Sequence, residues 1–435
     1  MPDLIRIPQV TAPVTGSIRP PGSKSITNRA FVCAALAHGD STLTGVLDSE
    51  DTRVMAAGLA RLGAGIAADW SAGVVRVTGM GGSIPVAEAT LDCAASGTTM
   101  RFLSAVCGLG RGTFRLDGTP RMRKRPIGDL LAALRELGID AVAESPGDCP
   151  PVLIHATGIE GGEARVRGGT SSQFASGLAL AGPCMPRGLD LEFEGRLVSL
   201  PYLEMTRRVI EAFGGRCTAP DERHWHIPPT GYQGREYAIE PDASAASYFT
   251  AAAAITGGEV RIEGLSRDSL QGDVGFCDAL ARMGCDVTWE ADAVTVSGRA
   301  ARGVEIDMNA ISDTVPTLAV VALFAEGPTA IRNVAHVRDK ETDRISDLVR
   351  ELRRLGADVE EREDGLTVWP AGGGSLAAAR LATYDDHRMA MSLSLAGLRV
   401  AGVEIEDPGC VGKTFPDYWH RLGALAGFGP DFPPT

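Results

Sequence analysis

The stretch ISDLVRELRRLGADVEEREDGLTVW, residues 345–369, carries the pattern that decides the architecture. Ile345, Leu348, Val349, Leu352 and Leu355 fall at i, i+3, i+4, i+7 and i+10, which places them on one face of a helix. Gly356 follows as a residue free to take positive φ and end that helix. A strand-like run near Val359 and a second, Leu366 to Trp369, then flank Asp364-Gly365, a hairpin signal. The same ending, a large apolar residue and then glycine, recurs at Leu62-Gly63, Leu137-Gly138, Phe213-Gly214, Met283-Gly284 and Leu422-Gly423. The pairs stand roughly 70 residues apart, too long for an ordinary solenoid repeat and suited to a small α/β unit.

A second helix precedes each amphipathic one and is almost wholly apolar: Ala30–Ala37, Phe102–Leu109, Phe174–Ala181, Ala245–Ile255, Val315–Phe324 and Met389–Leu398. Helices apolar all round are buried ones, and their alternation with strands predicts a layered α/β fold. The sixth copy ends soon after Leu422-Gly423 with no room for a hairpin, while Leu4–Ile7 and Gly16–Ile18 read as strands with no helix before them. The expectation is that this N-terminal hairpin completes the sixth unit. Six units then divide into two similar domains of three: residues 1–22 with 241–435, and residues 23–240. The chain crosses near Pro20-Pro21-Gly22 and Glu240-Pro241, where proline suits a non-helical connection, and these crossings are expected to act as hinges.

At 435 residues the chain is long enough for two or three full-sized cores. No apolar run has membrane-spanning length, and no signal-peptide pattern opens it. Nine cysteines, an odd number without paired C-x-x-C spacing, predict a reducing compartment, the cytoplasm. A net charge of −13 argues against nucleic acid or anionic membrane as partner. Acidic and histidine residues lack ligand spacing, so neither a metal nor another cofactor is expected. The tail with Pro430, Pro433 and Pro434 reads as a loose end.

Against this acidic background, small polar stretches stand ahead of every buried helix. They are Gly22-Ser23-Lys24-Ser25, Ser96-Gly97-Thr98-Thr99, Gly169-Thr170-Ser171-Ser172-Gln173, Asp242-Ala243-Ser244, Ser312-Asp313-Thr314 and Tyr384-Asp385-Asp386-His387-Arg388. Ser, Thr and Asp in such places are usually N-caps. Six together, with Lys24, Arg29, Arg101 and Arg388 nearby, suit anion binding, because helix starts offer free N–H groups and a positive dipole end. Pseudo-symmetry would bring them together at an interdomain cleft. Lys24-Ser25 resembles a nucleotide phosphate loop only weakly, since the earlier glycine is missing. The run Arg121-Met122-Arg123-Lys124-Arg125 reads either as a solvated face or as part of the site. Residues Arg338 to Arg344 alternate in charge, either a surface ladder or a carboxylate held among cations to move a proton. His387, between Asp386 and Arg388, is either a core histidine or a titrating one.

Together these motifs carry a resemblance over about Pro20 to Tyr418. They are Pro21-Gly22-Ser23-Lys24-Ser25, Gly97-Thr98-Thr99-Met100-Arg101, Arg121-Met122-Arg123 with Arg125-Pro126-Ile127, and Ser171-Ser172-Gln173-Phe174. Further along come Asp242-Ala243-Ser244, Lys340 to Arg344, Asp386 to Met391, and Lys413 to Tyr418. The chain resembles the 5-enolpyruvylshikimate-3-phosphate synthases. The resemblance implies two domains, each of three βαβαββ-type units, an inside-out α/β barrel of the enolpyruvyl transferase kind. It implies a transferase of aromatic amino-acid biosynthesis, the target of glyphosate. Such an enzyme moves the enolpyruvyl group of phosphoenolpyruvate to the 5-hydroxyl of shikimate 3-phosphate, by addition and then elimination of phosphate. By the same resemblance, Lys24, Gly97, Arg125, Arg344, Arg388 and Lys413 hold phosphoenolpyruvate. Ser25, Arg29, Ser171, Ser172, Gln173, Ser199, Tyr202, Asp313, His336 and Lys340 hold shikimate 3-phosphate. Asp313 accepts the hydroxyl proton, Glu341 protonates the methylene carbon, and Lys24 and His387 assist. Two small-molecule substrates and a monomer are expected.

Ala95 stands where the family usually has Asn, His336 where Asn is common, and Phe102 where Pro is frequent, so altered glyphosate affinity is expected. The rival with the same donor is UDP-N-acetylglucosamine enolpyruvyl transferase. Its reactive cysteine before an Arg-Pro pair has no counterpart in Arg121 to Pro126, and Ser171-Ser172-Gln173 favours shikimate 3-phosphate. The other alternative, a non-catalytic anion-binding homologue, fits poorly with Lys24, Asp313, Glu341 and Lys413 all present.

Overall fold

The computed structural model describes residues 3–169, 171–195, 197–370 and 376–433. Thr170 of the third helix-start stretch and Pro434 of the tail lie outside them. The chain forms two compact units, Met1–Pro21 with Glu240–Thr435, and Gly22–Ile239.

One sheet arrangement recurs within each unit. Strand Glu88–Asp92 runs parallel to Arg111–Asp117, which pairs antiparallel with Cys149–Thr157, itself antiparallel to Asp140–Ser145. Helix Gly97–Cys107 links the first two strands, and helix Gly128–Glu136 follows the second. The same order joins Gly162–Arg167, Leu189–Glu194, His224–Ile227 and Thr218–Asp221. In the other unit it joins Glu305–Asp307, Thr329–Arg332, Gly365–Trp369 and Asp358–Arg362. The α/β class predicted from periodicity and the βαβαββ unit implied by the resemblance are therefore observed.

The N-terminal segments depart from expectation. They form no hairpin. Leu4–Arg6 pairs antiparallel with Glu404–Glu406 and so completes the sixth sheet, but Thr15–Ile18 lies parallel to Glu259–Glu263 in the fourth. Pro8 and Pro13, between them, lack the N–H that a hairpin ladder would use. In the other unit Glu236–Ala238 lies parallel to Asp40–Thr44. Each crossing strand thus pairs in the unit it leaves, and the helix after it belongs to the next.

Two glycine readings also change. Gly356 ends helix Ser346–Arg354 at φ 86°, and Gly63, Gly138, Gly214 and Gly284 likewise have positive φ. Helix Tyr418–Ala426, however, runs through Gly423 and is capped by Gly427 at φ 69°. A Cβ on Gly423 would stand 2.7 Å from the Phe432 ring, so close packing is what that glycine serves. The hairpin turn after Asp358–Arg362 is Glu363-Asp364, because Arg362 already pairs with Gly365.

The apolar helices are buried as predicted but begin earlier, at Lys24, Gly97, Ser172, Ala243 and His387, so the polar stretches form their first turns. Side chains of Ser23, Ser96, Ser171, Asp242 and Asp386 accept backbone N–H groups there. Val315–Ala322 is instead preceded by a separate turn of 3₁₀ helix, Asn309–Thr314. Burying the rest of each helix fixes where these first turns lie. Among the described residues no helix is long and apolar enough to cross a membrane.

A methyl group on Gly258 would fall 1.8 Å from the Val14 carbonyl, which accepts the Glu259 N–H at 3.0 Å. Gly258→Ala should therefore push the Thr15–Ile18 strand off its sheet and cost about 1–3 kcal/mol, read as a lower denaturation midpoint. A wild-type midpoint would contradict that docking.

Candidate active site

In the unit Gly22–Ile239, the predicted residues lie at four helix starts, with Arg125 just ahead of a fifth helix, Gly128–Glu136. Lys24, in the first turn after Ser23, reaches Asp51 at 3.4 Å, and Asp51 is buried in the first turn of helix Glu50–Arg61. One turn on, buried Arg29 donates to Thr206 Oγ1 (2.8 Å), Ser176 Oγ (3.3 Å) and the carbonyls of Ser25 (2.9 Å) and Tyr202 (3.2 Å). Its guanidinium lies 5.2 Å from the centre of the Phe102 ring. None of these acceptors is a carboxylate, and burial pushes the guanidinium down to about 10. A desolvated cation with only neutral partners is a place where an anion is favoured.

Gly97 opens the second helix beside two buried guanidiniums. An added Cβ would stand 2.6 Å from Arg101 Nη1 and 2.8 Å from Arg125 Nη2. Arg101 donates to Gln173 Oε1 at 2.6 Å, and Gln173 Nε2 donates to Thr98 Oγ1 at 3.2 Å. Ser171, Ser172 and Gln173, at the third helix start, are half-buried. Ser199 is buried ahead of helix Leu200–Ala212 in a left-handed conformation (φ 55°), strained for a residue with a Cβ, and its carbonyl accepts the Tyr202 N–H. The basic run divides: Arg123 is exposed and paired with Asp117 at 2.7 Å, whereas Arg125 is buried beside Gly97.

In the other unit, charge concentrates around Arg344, which is 1% exposed. Its guanidinium donates to Asp386 (2.7 and 3.1 Å), Glu341 (2.9 Å) and Asp313 (3.2 Å). Burial opposes the charge, but Asp386, Glu341 and Asp313 outweigh it and push the Arg344 pKa up. Arg388 holds the other oxygen of Asp313 at 2.7 Å, and Lys413 holds the other oxygen of Glu341 at 2.8 Å. Asp386 also caps helix His387–Gly397 by accepting the Arg388 N–H at 2.8 Å. His387 is buried with Nδ1 3.8 Å from Asp386. The alternating run splits as the basic one did, since Arg338 pairs with Asp343 and Glu361 as a surface ladder (both 2.9 Å) while Glu341 and Arg344 join the cluster.

His336 is buried in the turn Ala335–Asp339. Desolvation, with Lys340 nearby, pushes its imidazole down to about 4, although Asp313 pulls the other way. Three residues that sequence reasoning passed over belong to the site. They are Asp51 beside Lys24, Asp386 on Arg344, and buried Asp273, whose carboxylate accepts the Ser244 hydroxyl. Burial and the nearby charge of Asp313 push Asp273 up to about 7. The available signal was a carboxylate two positions after an N-cap for Asp51 and at the N-cap itself for Asp386.

Residues 8–422 match the family model described as EPSP synthase (3-phosphoshikimate 1-carboxyvinyltransferase). The chain belongs to the EPSP synthase family. A 3-phosphoshikimate 1-carboxyvinyltransferase from Nostoc sp. is 45% identical over 422 residues, 97% of this chain and 99% of the relative. One from Shewanella sp. is 43% identical over 419 residues, 95% and 97% respectively. The solved EPSP synthase of Acinetobacter baumannii superposes with a TM-score of 0.79 at 26% identity, covering 97% of this chain and 98% of that one. The enolpyruvyl transferase NikO from Streptomyces tendae shares the fold, with a TM-score of 0.74 at 21% identity, covering 97% of each chain. Phe102 has a visible use here, as the ring beneath Arg29.

Two predictions follow from this geometry. Gly97→Ala should fold but displace Arg101 and Arg125, raising the apparent KM for phosphoenolpyruvate about tenfold, since small misplacements of binding groups cost up to about 10²-fold; an unchanged KM would remove those guanidiniums from the donor site. The second concerns acid. Unfolded His336 takes a proton near its ordinary 6.5 and the folded chain only near 4, so its share of stability is full above 6.5 and is lost as pH falls towards 4. His336→Asn should flatten the fall in denaturation midpoint between pH 7 and pH 5; an identical fall would contradict the neutral burial.

Proposed function

We propose that the residues gathered at these helix starts bring phosphoenolpyruvate and shikimate 3-phosphate together and exchange protons with them. Membership of the EPSP synthase family makes the chain a transferase, a 3-phosphoshikimate 1-carboxyvinyltransferase of the shikimate pathway. The observation that carries the residue assignment is the pairing of two carboxylates, Asp313 and Glu341, each held between two cations. A carboxylate so held stands close to where anionic substrates are attracted.

In this reading Arg344, Arg388 and Lys413, with Lys24, Gly97 and Arg125, hold phosphoenolpyruvate. Guanidiniums grip phosphate or carboxylate through two parallel N–H bonds, which lysine does not reproduce. Ser25, Arg29, Ser171, Ser172, Gln173, Ser199, Tyr202, His336 and Lys340 hold shikimate 3-phosphate. Arg29, buried among neutral partners, suits an anion of that substrate.

Asp313 takes the proton of the 5-hydroxyl as its oxygen bonds to the donor's C2. Glu341 gives a proton to the adjacent methylene carbon, which becomes a methyl group. Elimination reverses that transfer: the methyl group loses a proton, the double bond re-forms and phosphate leaves. Lys24 and His387 supply field and hydrogen bonding around these steps. The protein acts as a monomer in the cytoplasm, a location supported by its unpaired cysteine pattern.

The test is phosphate release from phosphoenolpyruvate by purified protein, with shikimate 3-phosphate or UDP-N-acetylglucosamine as acceptor. Release only with the first is expected; release only with the second would overturn the assignment. In the same assay Asp313→Asn should lower kcat about 10²–10⁴-fold, the usual worth of a positioned general base. Arg125→Lys should weaken phosphoenolpyruvate use.

A further inference from the structure

The donor cations of the Arg344 cluster carry protein carboxylates. Asp313 lies between Arg344 and Arg388, and Glu341 between Arg344 and Lys413. Asp386 takes the remaining face of Arg344 through Nε and Nη2. In these contacts three cations meet three carboxylates, and all three cations are at least nine-tenths buried. An anion that uses these cations must compete with the carboxylates already bound to them. Asp386 is fully buried and fixed by its cap to Arg388, so it is the partner least able to leave. Asp313 and Glu341 are more accessible, with side chains 13% and 12% exposed.

We infer that Asp313 and Glu341 are specificity-determining residues for the donor, acting as internal competitors for the cations that bind it. This rests on the assignment of Arg344, Arg388 and Lys413 to phosphoenolpyruvate above. A ligand with one weak anionic group gains too little from the guanidiniums to replace two charge-assisted bonds per carboxylate. A ligand that brings a phosphate and a carboxylate replaces both carboxylates at once. Selectivity for a doubly anionic donor then arises from what the site holds against weaker anions, in addition to the contacts it offers.

The exchange also prepares the chemistry. A carboxylate between two cations is a weak base, because their field favours its charged form. Once the donor takes the guanidiniums, Asp313 and Glu341 lose that stabilisation and bind protons more readily. Proton acceptance is thereby strengthened only when the donor is in place. Asp273 and His336, which both feel the charge of Asp313, Asp242 at the start of helix Ala243–Thr256, and the phenol of Tyr248, 3.5 Å from Arg388, also face this region.

The test is calorimetric titration of phosphoenolpyruvate, inorganic phosphate and pyruvate into the wild type, Asp313→Asn and Glu341→Gln, without acceptor so that no turnover intervenes. Loss of a competing carboxylate should tighten each anion about tenfold or more even as catalysis fails. Pyruvate should gain most, so the preference for phosphoenolpyruvate over pyruvate should shrink. Binding to the wild type should take up protons, seen as heats that vary between buffers of different ionisation enthalpy, and the uptake should fall in both variants. Unchanged or weaker affinities in both variants would overturn the inference. If Asp313→Asn does not fold by circular dichroism, Glu341→Gln decides, because Glu341 competes independently for Arg344 and Lys413. Turnover by the wild type with unaltered variant affinities would sink only this inference. Tightened anions without turnover on shikimate 3-phosphate would sink only the assigned reaction.

Discussion

Arg344 and its three carboxylates are the interaction on which the rest of the site depends. Taking a guanidinium fully out of water costs several kcal/mol, and only close partners offset it. Asp386, Glu341 and Asp313 do so from three directions, at 2.7 to 3.2 Å. Such a cluster is a poor source of stability compared with apolar packing of equal volume. Its value is positional. It ties the start of helix His387–Gly397, the turn Asn309–Thr314 and the segment before helix Ser346–Arg354 to a single buried charge.

The repeat explains why such a cluster arises at helix starts. Each apolar helix is fixed by burial on all sides, so its first turn has a set place and carries unsatisfied N–H groups. Different copies use that place differently. Ser23 and Ser96 merely cap; Gly97 makes room for two guanidiniums; Asp386 caps its helix and also grips a cation. One structural position, repeated, has been given distinct chemical work by single residue changes.

Much of this was legible in the chain itself. Apolar spacing at 3.6 residues and the glycines at 63, 138, 214, 284 and 356 are local signals, and they marked the helices and the repeat correctly. Strand exchange at the crossings was not legible, because Thr15–Ile18 meets Glu259–Glu263 through pairing some 240 residues distant, which no local pattern encodes. Gly423 misled for a related reason, since its glycine answers to Phe432 rather than to a helix end. Charged runs were ambiguous by nature. Arg123 and Arg125 look alike in sequence, and only Asp117 on one side and Gly97 on the other separate surface from site. Asp386 read as a plain N-cap because its second role depends on Arg344, 42 residues earlier.

The central claim is that two carboxylates held among cations move protons to and from the substrates. Running the reaction in D2O and reading deuterium at the methylene carbon of the product by mass spectrometry tests it most directly. Addition makes a methyl group bearing one solvent-derived hydrogen, and elimination removes one of three, so product carrying deuterium is the predicted result. Product formed at full rate with no deuterium at that carbon would mean direct displacement at the donor's C–O bond, and would contradict the account.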